Sequence, residues 1–171
     1  MTTATATCYS DAIQAILEDD RIPDLGPGHP NKKKKDTIAR LTPANAFPQV
    51  KDKNMAMLCI AGLWLHHDFL DESHEISQSI KTPSGSFWHG IMHRREPDAW
   101  NAKYWFRQVG RHPVLRKISD SLRVVYDPME FIDRCEEFRD SGSPDEAECR
   151  QIQFREWEQL FDWCYDHAVN G

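Results

Sequence analysis

The chain has 171 residues, of which 40% are hydrophobic, 28% charged and 11% aromatic, a composition that supports one globular domain with its own buried core. Its formal net charge of −6 argues against nucleic acid as the main partner, because duplex and single-strand binding both draw mostly on neutralising phosphates. No uninterrupted apolar run is long enough to span a bilayer, which excludes a membrane-spanning helix, and the five cysteines, odd in number and without a CxxC pair, read as reduced thiols of a cytoplasmic protein.

Met1 to Tyr9 hold neither a basic region nor an apolar run, so no secretory signal is expected there. Ser10 is placed to cap a first helix reaching about Asp19, with Ile13, Ile16 and Leu17 as its apolar side, and Pro23 ends it. Residues 20–53 then read as a long irregular arm, rich in proline and lysine, apart from a short turn at Thr37 to Leu41. In it, Lys32 to Lys35 follow Gly26-Pro27-Gly28-His29-Pro30 and are expected in a solvated loop, with Phe47 as the arm's anchor on the core.

Asn54 to Ile80 is the longest periodic segment: Leu58, Leu65, Phe69, Ile76 and Ile80 share one side at helical spacing, with His67, Asp71 and His74 nearly opposite. It is expected to be a single central helix covered on two sides. Pro83-Ser84-Gly85-Ser86 reads as a turn, Phe87 to His93 as a short helix stopped by Arg94 to Pro97, and Asp98 as the cap of a helix from Ala99 to about Val109 that Gly110 ends. Pro113 suits the first turn of another, carrying Val114, Leu115, Ile118, Leu122 and Val125, and Asp127-Pro128 opens one through Phe138. After the break at 140–144, Pro144 starts a long amphipathic helix through Trp157, Leu160, Phe161 and Cys164. Alternation of the β type is nearly absent. The expected fold is all-α, a compact single-domain bundle of about six or seven helices.

Six of the eight histidines, His66, His67, His74, His89, His93 and His112, fall in one stretch with Trp64, Trp88, Trp100 and Trp105. Histidine binds metal and exchanges protons near neutral pH, so this crowding beside aromatic walls marks where a pocket is expected. On a continuous helix His67, Asp71 and His74 occupy one face, and His89 and His93 repeat the i, i+4 spacing on the next helix. Two such faces brought together make a nitrogen-rich site for a divalent transition metal, zinc, iron, nickel or manganese, through His67, His74, His89 and His93. Asp71 then serves as ligand or orienter, with Glu72 or Glu75 as its replacement, and His67, His74 and Asp71 are also the candidates for metal-free acid–base work. His66 reads as a core or boundary residue, and Asp68, Glu72 and Glu75 as a solvated acidic flank.

A second constellation follows directly. Arg94 and Arg95, as forked donors, suit a carboxylate or phosphate, and Trp88, Asn101 and Tyr104 complete a wall for a small anionic or polar molecule. Nucleophilic and nucleotide chemistry find no support, since neither a Gly-x-Ser-x-Gly elbow nor a phosphate-cradling glycine loop is present. The expected function is a metal-dependent hydrolase or a small-molecule binder. The rival from another class is a helical interaction protein whose histidines and tryptophans are structural, whose arginines pair with acidic neighbours and whose helix from Pro144 meets a partner.

Overall fold

A computed structural model describes residues 8–171; the expectation for Met1 to Tyr9 therefore lies largely outside the described residues. These are all-helical, with no strand among them, and form ten helices: α1 (Asp11–Gln14), α2 (Lys32–Ala39), α3 (Pro43–Ala46), α4 (Lys53–His66), α5 (Leu70–Ser79), α6 (Pro83–Arg95), α7 (Ala99–Val109), α8 (Pro113–Leu122), α9 (Pro128–Phe138) and α10 (Pro144–Asn170). The count exceeds six or seven because the arm contains two short helices and the expected central helix is two.

Helix α4 lies against α10, α5 and α6, and every residue from Leu58 to His66 is buried, so this part of it has no solvent face. At Gly62 the neighbours come close: a Cβ there would stand 2.8 Å from the Trp88 ring, and Trp157 of α10 donates its indole N–H to the Gly62 carbonyl at 2.9 Å. Helix α6 is equally enclosed, buried from Ser84 to Arg95.

The division of the expected central helix has a local cause. After His66 the chain closes a Schellman motif: the Phe69 N–H bonds back to the Trp64 carbonyl at 2.9 Å and the Asp68 N–H to that of Leu65 at 3.2 Å. Trp64 and Phe69 make the accompanying apolar contact, edge to face at 5.1 Å. The left-handed residue is Asp68, with φ +64°, at a position that usually takes glycine. Its conformation is held from the side chain. The carboxylate receives the guanidinium groups of Arg21 and Arg95 and the His29 N–H, the last at 3.1 Å, which ties the arm, the α4–α5 corner and α6 together. Asp68 is 4% exposed, which corrects its assignment to a solvated flank.

Other corrections follow from capping. Lys32 to Lys35 are not in a loop but form the first turn of α2, where lysine's good helix propensity prevails; Ile38 buries the helix and the Lys34 ammonium bonds to the Ala15 carbonyl at 2.6 Å. Pro83-Ser84-Gly85-Ser86 is not a turn but the start of α6: Pro83 is at its first position and Thr82 caps it, the hydroxyl accepting from the Gly85 N–H at 3.1 Å. Helix α1 stops at Gln14, short of Asp19, while Ile13 and Ile16 are fully buried. The helix starts expected for α7, α8, α9 and α10 are found, with Asp98 and Asp127 as caps and Pro113, Pro128 and Pro144 in the first turn, and Phe47 is buried as the arm's anchor.

Gly85 cannot be replaced freely. A Cβ at this position would lie 1.9 Å from the Ile80 carbonyl oxygen, a backbone atom that cannot swing aside. Gly85→Ala is expected to cost about 3 kcal/mol through forced displacement of the α5–α6 link. A change in the urea midpoint equivalent to less than about 1 kcal/mol would contradict this reading.

Candidate metal centre

The α4–α5 corner sends the two ends of the expected ligand face in different directions. His67, at the corner, points to the arm: its Nε2–H donates to the Ile16 carbonyl at 3.0 Å and its Nδ1 faces the Asn31 side-chain amide at 3.2 Å. A neutral ring thereby has both nitrogens satisfied and no lone pair left for an ion. His67 is thus removed from the expected ligand and catalytic sets. Asp71 is exposed in the first turn of α5, bordering an open cleft of about 630 Å³ with Glu72, Glu96, Lys32 and Lys35.

The other three expected ligands do converge. His74, half-buried on α5, meets His89 and His93 from α6, and one ligand atom from each lies within 4.8 Å of the others. The His89 and His93 rings stack at 4.8 Å, as the i, i+4 spacing dictates, and the His74 ring stands edge-on to both, at 4.7 and 5.3 Å. Metal–nitrogen bonds of about 2.0–2.1 Å require nitrogens about 3.4 Å apart in a tetrahedral site, so ion binding needs a contraction of no more than about 1.5 Å.

Each ring has a distinct setting. His93 Nδ1 lies 3.0 Å from a Glu96 carboxylate oxygen, which accepts its proton and leaves Nε2 as the free lone pair. Burial lowers the His93 pKa, against the opposing pull of Glu96. His89 is 2% exposed and stacked on Trp105 at 3.9 Å, and neither of its ring nitrogens has a hydrogen-bond partner. Burial first, then the adjacent His93 and His74, pushes its pKa down to about 3. At neutral pH the ring carries a lone pair with nothing to receive, the protonation state a metal requires.

The expected substrate residues are dispersed. Arg94 is fully buried, pairing with Glu156 through Nη1 at 3.1 Å and Nη2 at 2.5 Å, while Nη2 also reaches Gln153 at 3.3 Å. Arg95 is spent on Asp68 and on the carbonyls of Leu65 and Gly26, at 2.6 and 3.1 Å. Neither is open to an anionic substrate, because α6 has no solvent face and each guanidinium must be paired where it lies. Trp88 is buried with no exposed surface. Asn101 bonds to the helix cap, its Nδ2 donating to Asp98 at 2.6 Å. Tyr104 remains partly exposed and packs edge-on against Trp105 at 5.3 Å, one ring away from His89.

Sequence reasoning missed one participant. Glu96 was legible as the acidic residue three positions after His93, within reach across one helical turn, but its position beside Arg94 and Arg95 suggested an ion pair with them instead. His66, expected as a core or boundary residue, is buried and borders a separate cavity with an unpartnered Nδ1. No family model, curated protein or solved structure matches this chain.

Proposed function

We propose that this protein binds a divalent transition metal through His74, His89 and His93 and uses it on a small polar molecule admitted from the neighbouring cleft. The observation that carries the proposal is His89: an imidazole with no exposed face to water, both nitrogens unpartnered, set between two further imidazoles. Leaving such a group unmet costs about 1–3 kcal/mol, and an ion accepting the lone pair removes the part that falls on that nitrogen. Three histidines form a set suited to zinc, and three protein ligands leave a fourth position for water or substrate, the arrangement of catalytic rather than structural sites. A zinc ion there supplies a water with its pKa lowered to about 7 and a Lewis acid for a polarised oxygen. Glu96 holds the His93 tautomer and also borders the cleft with Asp71 and Lys32, and Trp105 fixes the His89 ring plane.

The test is zinc binding by chelator-stripped protein, read by calorimetry and elemental analysis. About one ion per chain is expected for the native sequence and for His67→Asn, and none for His89→Ala with its helical circular dichroism intact. Glu96→Gln should weaken binding by about 10- to 100-fold. Metal retained by His89→Ala, or absent from the native chain, overturns the proposal. The interaction-protein reading draws on a different feature: Trp100, 74% exposed, lies parallel to Tyr104 on the outer face of α7. It requires Trp100→Ala to abolish a protein contact while leaving zinc binding unchanged.

A further inference from the structure

A second cavity, of about 440 Å³, lies between the arm and α10 at the C-terminal end of α4, within the size range of small-molecule sites. One wall is aromatic. Phe154 and Trp157 lie nearly parallel at 6.1 Å, and the His66 ring leans on Trp157 at 4.8 Å. Leu17 and Ile22 add apolar surface, and Tyr9 closes one end, its hydroxyl held by Asp162. A smaller void, about 10 Å³ and room for a single water, shares His66, Phe154 and Trp157 with it and extends the recess towards Gln153.

The charge at this cavity is negative. Asp19 and Asp20 are exposed and enter no ion pair among the described residues, while Glu158 is answered by Arg155 at 2.7 Å. The one lining cation, Arg21, has its guanidinium drawn away to Asp68 and to the carbonyls of His66 and His29. His66 is 3% exposed and its Nδ1 has no partner, so a hydrogen-bonding group is left unmet at the wall of an acidic, aromatic recess.

We infer that this recess is a binding site for a small organic cation, a protonated amine on an aromatic or alkyl body. The body lies against Phe154 and the edge of Trp157, whose faces are covered by Phe161 and His66, the ammonium meets the Asp19 and Asp20 carboxylates, and His66 offers a hydrogen bond at the wall. A metal ion is the poorer occupant. Asp19, His66 and His67 do have ligand atoms within 4.8 Å of one another, but both His67 nitrogens are engaged by Ile16 and Asn31.

The test is calorimetric titration with 2-phenylethylamine at pH 7 beside 2-phenylethanol, which keeps the ring and loses the charge. Saturable binding of the amine is expected, with the alcohol at least about tenfold weaker. Asp19→Asn/Asp20→Asn, two exposed changes that leave the core intact, should weaken the amine by about fivefold or more without altering the alcohol. His89→Ala should leave amine affinity unchanged, which separates this site from the proposed metal centre. Three results would each overturn the inference: no saturable amine binding, equal affinity for amine and alcohol, or displacement of the amine by zinc in the His89→Ala background.

Discussion

Replacing Arg94 by methionine is expected to remove about 3–5 kcal/mol of stability, a large part of what a domain of this size has. Arg94 and Glu156 are both fully buried, and the carboxylate also receives the Tyr126 hydroxyl. Burial by itself pushes the Arg94 pKa down; the adjacent Glu156 carboxylate outweighs it and holds the guanidinium above its usual range. Arg94→Met leaves Glu156 charged with only a phenol and an amide nearby, and an uncompensated buried charge is the costliest of defects. Arg94→Met/Glu156→Leu removes both charges and should recover roughly half of the loss, the remainder being the Tyr126 hydroxyl left without its acceptor, at about 1–3 kcal/mol. A useful control is Arg116, whose partner Asp120 is one helical turn away with both side chains largely exposed. Arg116→Ala should change stability by no more than about 0.5 kcal/mol. Urea unfolding at pH 7 measures all three, and an Arg94→Met loss below about 1 kcal/mol would show that the pair is not a supporting element.

What was legible in the sequence was what local chemistry decides. Asp98, Pro113, Asp127-Pro128 and Pro144 start their helices because a short oxygen-bearing side chain or a fixed proline φ acts within one turn. The corner at Asp68 was illegible for the opposite reason. Nothing in His66-His67-Asp68-Phe69 breaks a helix by propensity alone; Asp68 holds its left-handed conformation because Arg21 and Arg95, distant in sequence, hold its carboxylate. Pro83-Ser84-Gly85-Ser86 has the composition of a turn, and only the Thr82 cap in front of it reveals a helix start.

The candidate centre divides along the same line. The stacking of His89 and His93 is a consequence of 3.6-residue geometry and could be read directly. His74 joins them because α5 departs from α4 at the corner, and the same departure sends His67 elsewhere. The arginines were read by their chemistry, as anion receptors, when their burial was the deciding fact. Burial of α6 on all sides is a tertiary property that the mixed composition of Trp88-His89-Gly90-Ile91-Met92-His93-Arg94-Arg95 does not announce.

The metal-free protein should unfold in acid at a pH well above that set by its carboxylates. His66, His89 and His112 are all buried, and burial first holds their pKa values at about 3, about 3 and about 4, against 6.5 for an ordinary histidine. His112 shows the structural reason: its Nδ1 accepts the Val114 N–H at 3.2 Å as the cap of α8 while Nε2 lies 2.9 Å from the Ser84 hydroxyl, so a second proton would expel the cap. Groups whose folded pKa is depressed leave the unfolded chain binding more protons between the two values. Their stabilisation is therefore complete above about pH 6.5 and is lost as pH falls towards the folded values. These three histidines alone give a slope of about 4 kcal/mol per pH unit below about pH 6, and His67 and His93, whose pKa values burial also lowers, add to it. Half-buried Glu158, whose pKa is raised by burial, works weakly in the opposite direction. Against a total in the lower part of the usual range, about 5–10 kcal/mol, the slope places cooperative unfolding between about pH 4 and 5. The measurement is the urea midpoint in chelator at pH 7, 6 and 5, with ellipticity followed to pH 3. His112→Asn preserves a capping side chain and should flatten the slope by about one third of the three-histidine value. A urea midpoint unchanged from pH 7 to 5 would mean that these rings take up protons in the folded chain as readily as in the unfolded one, and that their burial does not hold them neutral.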